Sequence, residues 1–201
     1  MLNKPATVSQ PIQELLQVRW SPRAFSPQVI DKDVLISLLE AARWAPSCFN
    51  EQPWRFMVAS KAESEAFTHL LSCLMEGNQV WAKQASVLMI SIAKMTFGHN
   101  GESNRHAFHD VGLAVGNLVF EATARGIGVH QMGGIHPDKI KELYEIPEDY
   151  EPVAGLALGY FGDPESLPEP LRTRELAARS RKGLSEIVFE GLWEQAARLV
   201  G

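Results

Sequence analysis

Ser86-Val87-Leu88-Met89-Ile90-Ser91-Ile92-Ala93 is a near-continuous apolar run without a polar face. A run this short and this evenly apolar suits a central strand covered on both sides. Around it, residues 55–60, 128–132 and 153–161 read as further strands, the second running into Gly133-Gly134. Helical patterns fall between them, at 11–18, 31–44, 63–77, 106–125 and 137–144, with an amphipathic C-terminal helix expected over 185–200. Asp31 is placed to cap the second helix, Val34, Leu35, Leu38, Leu39, Ala41 and Ala42 form its apolar stripe, and Pro46 ends it. Gly126 stops the fourth helix, and Pro137 suits the first turn of the fifth. The last helix would carry Ile187, Val188, Leu192, Trp193 and Leu199. Residues 161–169 read as a long loop, broken by Gly162, Pro164, Pro168 and Pro170. Strands and helices alternate too irregularly for a doubly wound sheet, so the fold class is α+β.

The 106–125 helix is apolar on nearly every face, which predicts central burial. Gly112 and Gly116 lie one turn apart on it and would admit another helix, either within the chain or across a dimer. With 201 residues, one domain over 1–201 is expected. Hydrophobic residues make up 45% and charged residues 21%, an ordinary globular balance. A net charge of −5 argues against nucleic acid or an anionic membrane as partner. No run reaches the length of a membrane span. Met1-Leu2-Asn3-Lys4-Pro5 has no apolar segment behind it to make a signal peptide, so a cytoplasmic location is expected. Cys48 and Cys73 are the only cysteines, with no metal-binding or disulfide spacing.

Two polar segments carry the chemistry. Arg19-Trp20-Ser21-Pro22-Arg23 puts two guanidinium groups and a hydroxyl on five residues, which suits a phosphate or another oxyanion. Pro46-Ser47-Cys48-Phe49-Asn50-Glu51-Gln52-Pro53-Trp54 is a turn rich in amide and hydroxyl groups, suited to the edge of a planar hydrogen-bonding ring. Asn78 offers a donor and an acceptor, or is simply a residue at a helix end. In His130-Gln131-Met132-Gly133-Gly134, the paired glycines let backbone N–H groups come close to a ligand. Arg179-Ser180-Arg181-Lys182 is by itself a solvated charge run. His106-Ala107-Phe108-His109-Asp110 could bring two imidazoles and a carboxylate to one helical face, but no second ligand cluster exists, and capping and packing explain it better than a metal.

Taken in order, these segments resemble the flavin-binding signature of the nitroreductase family over nearly the whole chain. The resemblance implies a mostly antiparallel central sheet flanked by helices, an intertwined homodimer and FMN at each of two interface sites. It implies that Arg19, Trp20, Ser21 and Arg23 contact the cofactor, with Arg19 and Ser21 at the phosphate and Arg23 near the ribityl chain or the N1/O2 edge. A cation at that edge would stabilise negative charge on reduction. Pro46, Ser47, Cys48 and Asn50 would reach the flavin from the other subunit. Asn78, Gln131 and Met132 would lie beside the ring, and Gly133 and Gly134 would support N5 and O4 through their backbone. Arg179 and Arg181, with Lys182 in reserve, would close the phosphate site. Cys48 replaces a small hydroxyl residue, Trp81 stands where some members carry Lys, and Gly183 replaces a frequent Pro. The implied activity is ping-pong electron transfer from NADH or NADPH to nitroaromatics, quinones or similar small electron-poor acceptors. The flavin would carry the chemistry, and no catalytic side chain would be needed. The acceptor pocket would be lined from 67–75 and 97–108. Relatives of this kind also include dehalogenating, heterocycle-oxidising and flavin-degrading enzymes, and a non-catalytic flavin carrier is the remaining alternative.

Overall fold

In the computed structural model, which describes residues 4–200, β2 (Val87–Lys94) lies in the interior of a four-stranded antiparallel sheet. The strand order is β1-β2-β4-β3, with β1 at Trp54–Ser60, β3 at Ile127–Met132 and β4 at Tyr150–Tyr160. Every residue of β2 except Lys94 is buried, as its unbroken apolar pattern requires. β1 and β3 are the two opposite edges. Residues 1–3 and 201, at the ends of the expected domain, lie outside the described residues.

Helices cover both faces. On one, α2 (Lys32–Arg43) and α5 (Ala107–Ala124) pack Leu38, Val111, Val115 and Leu118 against Val87, Met89, Leu156 and Leu158. On the other, α3 (Ser64–Ser72), α4 (Glu76–Ala82) and α6 (Pro137–Leu143) pack Phe67, Leu70, Trp81 and Ile140 against Leu88, Ile90 and Ala157. Each such side chain taken from water contributes roughly 1.5–3 kcal/mol, so the two layers dominate stability. α1 (Glu14–Val18) and α7 (Glu169–Leu176) lie toward the two ends of the chain.

Four expectations change. The 63–77 helix is two helices, because Leu74 bridges to Ile135 and the Met75 amide bonds to the Gly134 carbonyl. The helix cap expected from Asp31 is not made by its side chain. α5 is buried on most faces but not all: Phe108 is exposed, and a Cβ at Gly112 or Gly116 would meet nothing within 4 Å. No part of the described chain therefore packs on those glycines. The C-terminal helix does not form. Residues 184–200 contain two short 3-10 turns and a bridge between Phe189 and Ala196, with Gly191 at φ +80° and Glu194 at φ 63° interrupting any helix. An isolated helix of that length is marginal without a surface to pack on. Leu192, Trp193 and Leu199 are instead exposed.

Candidate functional site

The 19–23 turn leaves α1 and runs beside the end of β4, where Ser26 N–H bonds to the Tyr160 carbonyl and Gly162 N–H to the Ala24 carbonyl. Pro22 sits directly over β3. A Cβ at Gly128 would fall 2.4 Å from Pro22 Cγ, so only glycine permits that approach. His130, on the same strand, bonds through Nδ1 to the Pro22 carbonyl at 3.0 Å and rests its ring on Trp81 at 4.5 Å between centroids. Burial, then the charge of Arg23, pushes the His130 imidazole down to about 4. It is therefore neutral near pH 7.

Lys4, Arg19, Ser21, Arg23, Arg174, Arg179 and Arg181 line one cavity of about 230 Å³ together with Trp20. Six of them are cations and none is an acid. Burial, and then repulsion from Arg179 and Arg181, holds the Arg19 guanidinium below its usual value. Burial and Arg181 do the same to Arg179. Such a donor set fits a phosphate dianion, since each guanidinium offers a fixed fork to its oxygens. Some donors are already engaged. Arg179 Nη1 donates to the Lys4 and Gln17 carbonyls at 2.7 and 2.8 Å, Arg19 Nη1 to Ser21 Oγ at 3.3 Å, and Arg181 Nη1 to the Ser180 carbonyl at 2.7 Å. Arg23 faces the buried Glu175 at 3.7 Å. Lys182 does not line this cavity.

At the far end of β3, Gly134 is held tightly. Its carbonyl accepts from Met75 N–H and from Asn78 Nδ2, both at 3.0 Å, and a Cβ there would lie 2.7 Å from Asn78 Nδ2. Asn78 is thus in the first turn of α4 rather than at a helix end, and its amide braces the glycine loop. Gly133 has open space around it and Gly134 does not, which makes Gly133 the glycine a ligand can approach. Gln131 is exposed beside it.

The 46–54 segment is a strained loop. Phe49, Asn50 and Gln52 have φ of 52°, 57° and 51°. Left-handed backbone costs roughly 1–2 kcal/mol per non-glycine residue and persists where surroundings enforce it. The buried Asp110 accepts Cys48 N–H at 2.9 Å, Ser47 Oγ accepts Gln52 N–H at 3.0 Å, and Glu51 accepts Gly98 N–H at 2.8 Å and pairs with His99 at 2.9 Å. Gly98, then His99, holds the Glu51 carboxyl below its ordinary range. Pro46 and Asn50 are exposed, and Cys48 is a free thiol, half-buried. Phe49 is 80% exposed, edge-on to Phe97 and His99.

The structure therefore gathers Arg19, Ser21, Arg23, Arg179 and Arg181 at one place, and Asn78 with Gly133 and Gly134 at another along β3. It does not bring the 46–54 loop to either. That loop leads into β1, three interstrand spacings from β3, or about 14 Å. Trp20 borders the cavity and is otherwise buried against Phe161 beneath Lys4, the Met132 side chain is buried in the core, and Trp81, where some members carry Lys, is sealed between Phe25 and His130. Of the two segments expected to line an acceptor pocket, Phe67, Leu70, Cys73 and Leu74 are core, and Met75 and Phe108 are the large apolar side chains left exposed. His109 pairs with Asp110, and His106 N–H donates to Asn104 Oδ1; no side chain among the described residues caps α5, and the role of Asp110 is to brace the loop. Lys4, Arg174, Glu175 and His130 are site residues that no local pattern reveals.

Comparison with known proteins adds a match to the Nitroreductase family over residues 16–160. The chain belongs to the nitroreductase family. Membership makes it an oxidoreductase. A solved structure described as an oxidoreductase containing FMN is 40% identical, with a TM-score of 0.89 over 96% of this chain and 98% of that one. An uncharacterised 15.4 kDa protein of Mycolicibacterium smegmatis is 33% identical over 132 residues, 66% of this chain and 87% of that protein. An FMN reductase [NAD(P)H] of Bacillus subtilis is 26% identical over 160 residues, 71% of this chain and 63% of its own length. No helix among the described residues is long and apolar enough to cross a membrane.

Proposed function

We propose that this nitroreductase-family chain is an FMN-dependent NAD(P)H oxidoreductase acting on small electron-poor acceptors, nitroaromatics and quinones among them. The observation that carries the reading is the acid-free cavity of six cations at one end of β3, with an accessible glycine loop at the other. The FMN phosphate fits the first and the isoalloxazine ring the second. FMN, when bound, supplies a two-electron relay from NAD(P)H to the acceptor.

The chain's own residues supply position and charge. Arg19, Ser21, Arg179 and Arg181 hold the phosphate, and Lys4 and Arg174 add to its field. Gly133 presents its backbone to the reactive edge of the ring. Asn78, whose amide nitrogen braces Gly134, keeps its oxygen free to accept from the ring's imide N–H. Pro46, Ser47, Cys48 and Asn50 come from a second copy, because within one chain they lie at the opposite edge of the sheet. The uncovered Gly112 and Gly116 on α5 and the exposed 184–200 segment supply surfaces for such a homodimer. A single stacking face cannot hold two planar substrates at once, so donor and acceptor alternate.

The test is an absorbance spectrum of the purified protein, anaerobic titration with NADH and NADPH, and steady-state kinetics with a nitro compound and a quinone. A yellow protein bleached by a nicotinamide and re-oxidised by the acceptor, with parallel double-reciprocal lines, is expected. A colourless preparation that takes up no FMN would end the reading, and absence of reduction would favour a flavin carrier.

A further inference from the structure

Six cations around one cavity repel one another, and one carboxylate touches them. Glu175, on α7, is 1% exposed. Its Oε1 accepts Arg23 N–H at 2.8 Å and Ala24 N–H at 3.0 Å, and its Oε2 accepts Arg23 N–H at 3.0 Å and faces Arg23 Nη1 at 3.7 Å. Its own backbone carbonyl takes Lys4 Nζ at 2.5 Å. Among the described residues, no other carboxylate forms an ion pair with Lys4, Arg19, Arg23, Arg174, Arg179 or Arg181. On the opposite side of the same turn His130 holds the Pro22 carbonyl. The peptide units of residues 22–24 are therefore fixed by the buried Glu175 and the half-buried His130, neither of which the electron transfer uses.

We propose that Glu175 is the positioning residue and resident counter-ion of the phosphate cradle, shaping its turn and offsetting its charge before phosphate binds. The inference rests on the reading that this cavity takes the FMN phosphate. A carboxylate whose oxygens are already filled by N–H groups cannot leave when the phosphate arrives. Its charge then opposes the incoming dianion through a partly buried medium, where charge interactions are several times stronger than in water. Glu175 thus acts in two directions. It stabilises the empty site and weakens the filled one, which keeps the cradle folded without making phosphate binding as tight as six cations would allow. The charges of the cations agree with this: burial, and then mutual repulsion, lowers the proton affinity of Arg19 and Arg179, and burial lowers that of Lys4 too, with Glu175 opposing the fall.

The test uses the full chain freed of flavin, wild type against Glu175→Gln, with melting followed in the absence and presence of inorganic phosphate and of FMN. Gln keeps an acceptor for the Arg23 and Ala24 amides and removes the charge. The variant should melt lower than wild type without anion, gain more from phosphate, and bind phosphate about tenfold more tightly. Equal or weaker phosphate binding by a folded variant would overturn the proposal and leave Glu175 with a purely geometric role. A second variant covers loss of folding. Arg181, whose one recorded hydrogen bond is to its neighbour's carbonyl, is changed in Glu175→Gln/Arg181→Gln, which restores the charge balance. This double variant should recover the stability lost in the single one, and failure to recover it would overturn the charge argument. No response of the wild type to phosphate or FMN would overturn the site assignment itself, an outcome separate from the others.

Discussion

His130 should make this protein acid-sensitive over a defined window. The ring is mostly enclosed, donates through Nδ1 to Pro22, packs on Trp81 and lies near the positive Arg23. Burial and that charge lower it from 6.5 to about 4 in the folded state. The unfolded chain takes a proton as pH falls through about 6.5, whereas the folded chain does not until about 4. Stability from this group is therefore complete above about 6.5, declines as pH falls toward about 4, and is level below. At ~1.4 kcal/mol per pH unit the window holds about 2–3 kcal/mol, allowing for the part of the ring that solvent reaches. For a chain of this length that is a fall of about 4–12 °C in Tm. The assay is urea unfolding at several pH values from 7.5 to 4.5, for wild type and His130→Gln. Gln can still donate to Pro22 but does not titrate, and every other group is common to both proteins. The stability difference between the two should shift by about 2–3 kcal/mol in favour of the variant across the window. Parallel pH curves would refute the reasoning, showing that His130 titrates alike in the folded and unfolded chains.

Arg19→Ala and Arg181→Ala should each weaken FMN binding by about 10- to 100-fold, from the roughly 1.5–3 kcal/mol of a charge-assisted bond, with the fold retained by circular dichroism. Unchanged FMN affinity in both would place the phosphate elsewhere. Asp110→Ala leaves Cys48 N–H without its acceptor and should lower Tm by about 3–12 °C while reducing FMN retention, measured by calorimetry and by flavin content after gel filtration. A lower Tm with full flavin retention would separate the 46–54 loop from the cofactor. A Cβ at Gly116 would meet nothing within 4 Å, so Gly116→Leu should leave folding intact and shift light scattering at micromolar concentration toward monomer. A dimer unchanged in mass would remove α5 from the interface.

The sheet was legible because its signal is local. Each strand is a short apolar or alternating segment bounded by turn residues, and the unbroken run from Val87 to Ala93 announced a position with neighbours on both faces. What failed depended on partners distant in sequence. Nothing in 63–77 marks the break at Met75, because the competing hydrogen bond comes from Gly134. Prolines at 168 and 170 suggested a loop, yet both stand at the start of α7, at its N-cap and in its first turn, where a missing N–H is harmless. The apolar residues of 185–200 form one helical face only if Gly191 is ignored, and Leu192, Trp193 and Leu199 are left exposed.

Arginine shows the same limit at the site. A sequence displays the charge of Arg179 but not its commitments, and Nη1 of this residue is taken by two backbone carbonyls. Ligand-binding capacity is what remains after such bonds are counted, so it can be assigned only when the partners are known. Glu175 is the converse case: an acid beside Arg174 in a short charged helix looks like a surface ion pair, and burial makes it the anchor of a turn more than 150 residues away. Geometry also bears on how the site is completed. The phosphate cavity and Gly133 both lie along β3, while the strained 46–54 loop is fixed to the β1 side by Asp110. Asp110, Ser47 and Glu51 hold that loop in shape, and β2 and β4 stand between it and β3. On the function proposed above, a loop preformed on one edge and a cradle preformed on the other act on one flavin when two chains bring opposite edges together.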